Sequence, residues 1–370
     1  MRVLFVSGTT IGGSGRSQRE LANRLVQLGH RVWFLVDDGR TDRTRRWWYG
    51  HFSDLAVRAA NRPGGRLVRA IEALPGRTPR RLVIDGLDHY ATSVVENAVP
   101  ALLTTLRPDV VVGNSVLRLT WRKTRTACEL RSIPTVLYIR EVETLNHFDD
   151  GVSPASAIVA NAQSLTDEID SRGFECSFIP SVIEVDVTSV DSTRQVALAI
   201  NPIESRGVST VSAIAERMPH IPFVAQISWP LSSAEMHDVR LRCASLPNVE
   251  LREAEEPGPR LYRDTRVLLV PYRVSNRPRV ILEAQANGIP VIAAAVPALE
   301  EAIGDGGVLA GVDDIDSWCR EIDVLWNDAA AYQTMSEAAL AHSERSEVNP
   351  AAIAREFAEL LERVASARSA

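Results

Sequence analysis

The chain has 370 residues, 41 Lys plus Arg against 47 Asp plus Glu, and a formal net charge of -6. That length suits two domains of about 100–200 residues better than one. Apolar residues make up 45% and charged residues 24%, globular proportions that exclude collagen-like and disordered classes. Nothing approaches the roughly 18 consecutive apolar residues of a membrane-spanning helix.

The opening run, residues 2–7, reads as a first strand and not as a secretory signal. A Gly-rich loop follows (Gly8, Gly12, Gly13, Gly15), then Leu21, Ala22, Leu25 and Leu28 at helical spacing, a helix stop at Gly29, and a second strand over 31–36. Three readings of the loop stand. Its amides and the following helix N-terminus contact a phosphate or sugar through Gly12 and Gly13. Alternatively it is a dinucleotide fingerprint, favoured by Gly13-x-Gly15 and Asp37-Asp38 and opposed by Gln18 at the third glycine position. The third reading is a turn without a ligand.

Residues 40–81 hold eleven arginines against Asp42, Asp54 and Glu72, a local charge of +8 that leaves -14 on the rest. Arg45 and Arg46 sit beside Trp47 and Trp48. This pattern suits an acceptor carrying phosphate or carboxylate, a peripheral contact with an anionic lipid face, or a solvated surface. Nucleic acid is not expected, because no recognised module surrounds the patch and the net charge is negative.

Short, continuously apolar runs recur at 109–112, 135–139 and 157–160, the run at 135–139 leading into Arg140-Glu141. The pattern pauses over 179–195 and restarts at 196–200, 223–227, 249–251, 267–270 and 291–294. Alternation of such runs with helical segments predicts parallel sheets covered on both faces. We expect an α/β chain of two Rossmann-like, doubly wound domains: an acceptor domain over 1–185, a donor domain over 186–350, and a C-terminal helix at 351–370 packing back on the first domain. In open sheets of this kind ligands sit at the carboxyl ends of the strands, where the strand order reverses. Four cysteines (Cys128, Cys176, Cys243, Cys319) show no metal-ligand spacing, so reduced thiols, a cytoplasmic location and no bound metal are expected. The seven histidines form no HxxxH or HExxH arrangement and no GxSxG is present, which removes zinc hydrolases and α/β-hydrolases.

The most informative stretch is 268–307. A strand ends at Pro271, a loop carries Arg273, Arg277 and Arg279, a helix carries Glu283, and Asn287-Gly288 closes it. Anion binding by the loop amides and the helix dipole fits this order. Glu283 suits a pair of vicinal hydroxyls, although an early helical glutamate is also favoured by the dipole alone.

Residues 279–291, RVILEAQANGIPV, followed by Glu301 and Gly304-Asp305-Gly306-Gly307, resemble the second half of the Glu-x7-Glu motif of family 4 glycosyltransferases. These are retaining enzymes of the GT-B fold that use nucleotide-sugar donors without a required metal. Gly12-Gly13, the segment 28–32, Ala160-Asn161-Ala162-Gln163-Ser164 and Ile179-Pro180-Ser181 extend the resemblance. It implies that Glu283 meets the donor ribose and that the backbone at Arg279 and Val280 lies near the diphosphate. It also implies that Arg206, in Asn201-Pro202-Ile203-Glu204-Ser205-Arg206-Gly207, inherits the place of a diphosphate-binding lysine. The family's arginine position holds Asn201.

Two departures stand out. The first motif glutamate, which in the family grips the transferred sugar, is Ser275. The family's His-Asp pair is replaced by Arg140-Glu141, which either orients donor or acceptor or forms a rim ion pair of little energetic weight. The expectation is a retaining, metal-independent transfer from a nucleotide-sugar co-substrate to a small-molecule, glycan or lipid-linked acceptor, with no other cofactor. Alternatives are a catalytically silent GT-B partner protein, a nucleotide-sugar epimerase and, last, a nicotinamide oxidoreductase.

Overall fold

The computed structural model describes residues 1–8, 12–37, 78–114, 116–149, 151–229, 231–252, 258–273 and 277–367. Arg45, Arg46, Trp47, Trp48 and Ser275 lie outside the described residues. Two compact units make up the chain. One comprises Met1–Ala160, Ile169–Ser177 and Ala354–Ala370, and the other Asn161–Glu168 and Phe178–Ile353. The sequence divided the chain at 185 and at 350, whereas the chain also passes between the units at Asn161–Glu168 and Ile169–Ser177.

The first unit runs β1 (Arg2–Ser7), α1 (Gly12–Gln27), β2 (Arg31–Asp37), β3 (Arg80–Ile84), β4 (Leu87–Thr92), α2 (Val95–Leu106), β5 (Val110–Asn114), α3 (Arg118–Glu129), β6 (Thr135–Ile139) and β7 (Ala157–Ala160). Helix α4 (Gln163–Ser171) and the two-residue strand β8 (Ser177–Phe178) follow. The sheet order is β3-β4-β2-β1-β5-β6-β7-β8. Val3 to Val6 of β1 and Val110 to Val112 of β5 are fully buried, as expected where helices cover both faces. Sequence reasoning placed no strand over 80–92, yet β3 and β4 form an antiparallel hairpin there. Its two-residue loop, Asp85-Gly86, has φ of 51° and 78°, the backbone that Asp-Gly supplies to a type I′ hairpin turn.

The second unit contains β9 (Val196–Ile200), α5 (Val208–Arg217), β10 (Phe223–Gln226), α6 (Ser233–Ala244), β11 (Val249–Arg252), α7 (Pro259–Tyr262), β12 (Thr265–Val270), α8 (Arg279–Gln285), β13 (Val291–Ala294), α9 (Pro297–Ile303), β14 (Gly307–Ala310), α10 (Ile315–Asn327) and α11 (Ala329–Ser343). Its six strands are all parallel, in the order β11-β10-β9-β12-β13-β14. The order reverses between β9 and β12, and this unit is doubly wound like the first. Helix α12 (Pro350–Ser366) closes the chain, and in its first-unit part Phe357 stacks on Tyr138 at 5.4 Å.

His342, near the end of α11, is buried against the backbone of Gly304, whose φ of 46° and lack of Cβ let it approach the ring. Arg345 Nη1 donates to His342 Nδ1 at 2.7 Å, which requires that nitrogen to be unprotonated. Burial first, and the Arg345 charge second, push the His342 pKa down to about 4 from 6.5. The unfolded chain therefore takes up a proton on this side chain at a higher pH than the folded one. The stability it contributes is fully present above about pH 6.5 and is lost as pH falls toward 4. Thermal unfolding scans should show a falling midpoint across that window, with a shallower fall in His342→Gln. Burial shifts His30, His89 and His147 in the same direction, so part of the slope persists in the variant. Identical slopes for the two proteins would contradict the assignment.

Candidate functional site

At the carboxyl ends of β9, β10 and β12, the three adjacent strands around the order reversal, the loops converge. After β9 the chain enters a short 3-10 turn, Glu204–Arg206, ended by Gly207 with φ 74°. The guanidinium carbon of Arg206 lies over the Trp229 ring at 4.4 Å and over the Tyr272 ring at 4.7 Å. Trp229 follows β10 and Tyr272 follows β12. Asn201, fully buried with φ 46°, donates through its amide to Ser228 Oγ at 2.7 Å and accepts from the Ser228 N–H at 2.9 Å. Asn201 is thus a clamp between the ends of β9 and β10.

The three arginines that the sequence placed in the β12–α8 loop are each engaged by a carboxylate. Arg273 pairs with Asp313 at 2.5 Å, Arg277 with Glu301 at 3.3 Å and Arg279 with Glu283 at 2.6 Å. Arg206 differs from them. Among the described residues its guanidinium has two aromatic contacts and no carboxylate or hydrogen-bond partner, while its backbone N–H donates to the Ile203 carbonyl at 2.9 Å. A guanidinium whose carbon lies over two rings and whose N–H groups meet no carboxylate can offer those donors to an oxyanion.

Glu283 sits one turn into α8 and is fully buried. One carboxylate oxygen accepts from Arg279 Nε at 2.6 Å and the other from Tyr262 Oη at 2.8 Å. Burial, with the Glu283 charge as the next cause, raises the Tyr262 pKa well above 10, so its hydroxyl remains a donor. A carboxylate has lone pairs beyond those two bonds, and a ribose hydroxyl would have to use them. The Val280 carbonyl accepts a longer bond from Tyr262 at 3.4 Å. Asn287 joins α8 to the preceding linker, donating to the Thr188 and Glu283 carbonyls and accepting from the Val190 N–H. Glu301 accepts from the Gln163 N–H at 2.8 and 2.9 Å and so caps the start of α4.

In the first unit, Gly12 opens α1 with φ 76°, and Gly13 follows it. Arg140, just past β6, is 2% exposed, lies over Tyr138 at 4.4 Å and donates to the Ser14 carbonyl at 3.2 Å. The structure thus brings Arg140 to the first turn of α1, where Asn114 also donates to Ser14 Oγ at 3.3 Å. Glu141 starts the 3-10 turn Val142–Phe148, its carbonyl accepting from the Thr144 N–H at 3.0 Å. Sequence reasoning missed Trp229, Tyr272 and Tyr262. For the first two a signal was available, since each aromatic follows within three residues of a predicted strand.

Residues 230–328 match the family model described as glycosyl transferases group 1. A D-inositol 3-phosphate glycosyltransferase from Arthrobacter sp. (strain FB24) is 29% identical over 144 residues, 37% of this chain and 34% of that relative. The match thus spans about a third of the curated relative's length. Among solved structures, Anabaena HepE in complex with UDP and glucose superposes with a TM-score of 0.74 at 14% identity, covering 98% of this chain and 99% of that one. Sucrose-phosphate synthase from Thermosynechococcus elongatus also gives 0.74, at 15% identity and 99% coverage of both chains. The fold is that of the GT-B glycosyltransferases.

Proposed function

We propose that this chain is a glycosyltransferase whose second unit holds the diphosphate of a nucleotide-sugar donor on Arg206. One observation carries the reading. At the strand-order reversal of an open parallel sheet, a cation without a carboxylate partner among the described residues is held by two aromatic faces. The matched family model, the D-inositol 3-phosphate glycosyltransferase relative and the UDP-bound Anabaena structure support a sugar nucleotide as the ligand class.

Departure of a nucleoside diphosphate from the sugar builds negative charge on the leaving oxygen. In this reading the Arg206 edge and the positive end of α5, which begins two residues later, offset that charge. Retention of configuration and independence of a metal belong to the proposal through the family 4 resemblance, with the departing phosphate taking the acceptor's proton. Gly12, Gly13, Arg140 and Glu141 are proposed to serve donor and acceptor orientation from the first unit.

The test is calorimetric titration with UDP-, GDP-, ADP- and TDP-sugars, followed by assays of donor hydrolysis and transfer. We expect saturable binding of at least one donor, weakened about 10–100-fold in Arg206→Ala, the scale of a lost charge-assisted hydrogen-bond pair. Failure of every donor to bind would end this reading. Binding without hydrolysis or transfer to any offered acceptor would favour the silent-partner alternative.

A further inference from the structure

We propose that Trp229 and Tyr272 are positioning residues that hold the Arg206 guanidinium edge-on to the donor diphosphate, and that this cradle is built for arginine and not for lysine. The inference rests on the diphosphate reading of Arg206 given above.

Three separate loops have to agree for the cradle to exist. Arg206 comes from the loop after β9, Trp229 from the end of β10 and Tyr272 from the end of β12. Each is anchored by a contact of its own. The Arg206 turn is seated on the β12 exit through Gly207, where a Cβ would run into the Pro271 carbonyl oxygen and lie 2.8 Å from the Pro271 ring carbons. The Trp229 segment is fixed to the β9 exit by the paired Asn201–Ser228 hydrogen bonds. Tyr272 is 3% exposed, and its hydroxyl reaches the Ile200 carbonyl at 3.5 Å.

The chemistry follows from the shape of the group. Guanidinium is a flat cation whose faces can meet aromatic rings while all its N–H bonds point outward in the plane, matching two oxygens of one phosphate at once. An ammonium is a compact point charge with no face to spread over two rings. Lysine occupies this place in the resembling family, so its replacement by Arg206 gains a structural reason here: the rings and the guanidinium form one unit. Holding the side chain in place before binding removes an ordering cost that a free arginine would meet on meeting the diphosphate.

The test compares two ligands in several variants. The nucleoside diphosphate that binds wild type best, from UDP, GDP, ADP and TDP, is titrated alongside its own nucleoside. Trp229→Leu should weaken the diphosphate about 3–30-fold, the range of a cation–π contact of intermediate exposure, and leave the nucleoside unchanged. Trp229→Phe should recover most of that loss. Arg206→Lys should lose affinity for the diphosphate although charge is kept. In the Arg206→Ala background Trp229→Leu should have no further effect, since the group it positions is gone.

Equal weakening of nucleoside and diphosphate by Trp229→Leu would overturn the cradle and make Trp229 a structural or base-contacting residue. The same loss in both Arg206 backgrounds, or wild-type affinity in Arg206→Lys, would overturn it as well. If wild type binds none of the four diphosphates, the donor reading itself fails and the cradle's ligand with it. That outcome is distinct from a wild type that binds while the variants do not differ.

Discussion

Glu283→Ala is expected to destabilise the second unit by about 3–5 kcal/mol, because it breaks a buried ion pair by removing the carboxylate that Arg279 meets. Glu283 and Arg279 are 1% and 6% exposed at their side chains and 2.6 Å apart, one helical turn from each other in α8. Tyr262 completes the arrangement from α7, and its hydroxyl would lose its acceptor at the same time. Water cannot replace the carboxylate at so little exposure, and truncation therefore costs the desolvation of a charge as well as the lost bonds. A compensated variant separates these contributions. Arg279→Met with Glu283→Leu removes both charges and keeps the volume, and it should recover much of the loss. Urea unfolding of the three proteins measures the difference. A Glu283→Ala cost below about 1 kcal/mol would show that Arg279 finds another partner and that the buried pair carries little weight. The experiment also bears on function, since any loss of donor binding in Glu283→Ala has to be corrected for the fraction of chain still folded.

Much of the fold was legible because strands buried on both faces must be continuously apolar. Runs such as Val110 to Val112 and Val267 to Val270 left no other choice in chain order. The hairpin over 80–92 escaped because β3 is an edge strand with alternating exposure and three charged or polar positions near the turn. Only Asp85-Gly86 signalled it. The site was legible as a set of cations and less so as an arrangement. Four arginines looked alike in the sequence, and pairing is a property of the folded chain: Arg273, Arg277 and Arg279 each meet a carboxylate from elsewhere on the chain or one turn along the helix, and Arg206 meets two rings. Asn201 illustrates the same point. Standing where the family has an arginine, it was expected among the donor-binding residues, and in the fold its side-chain amide exchanges two hydrogen bonds with Ser228. Ser275 and the tryptophans at 47 and 48 remain sequence-level expectations, outside the described residues.

Gly207→Ala should act on stability and on donor binding together. Gly207 has φ 74°, a conformation that costs an L-residue about 1–2 kcal/mol by itself. Added to this is the contact of the new Cβ with the Pro271 carbonyl oxygen, a backbone atom that cannot swing aside. The sum is an expected destabilisation of about 2–5 kcal/mol, an overpacking cost on top of the backbone one. Gly288→Ala provides the control. It has φ 60°, but its Cβ would meet the Ser336 hydroxyl at 3.0 Å and the Leu340 side chain at 3.3 Å, groups that can shift. That variant should cost less in unfolding experiments and leave donor affinity near wild type. For Gly207→Ala the strain can be relieved only by lifting the 3-10 turn away from Pro271, which carries Arg206 off the Tyr272 ring. Donor affinity, measured where the variant remains folded, should therefore fall about tenfold or more, the scale of a lost charge-assisted contact. Equal affinity for the two glycine variants would mean that the turn bearing Arg206 tolerates displacement, and that the seat on Pro271 does not set the geometry of the cation.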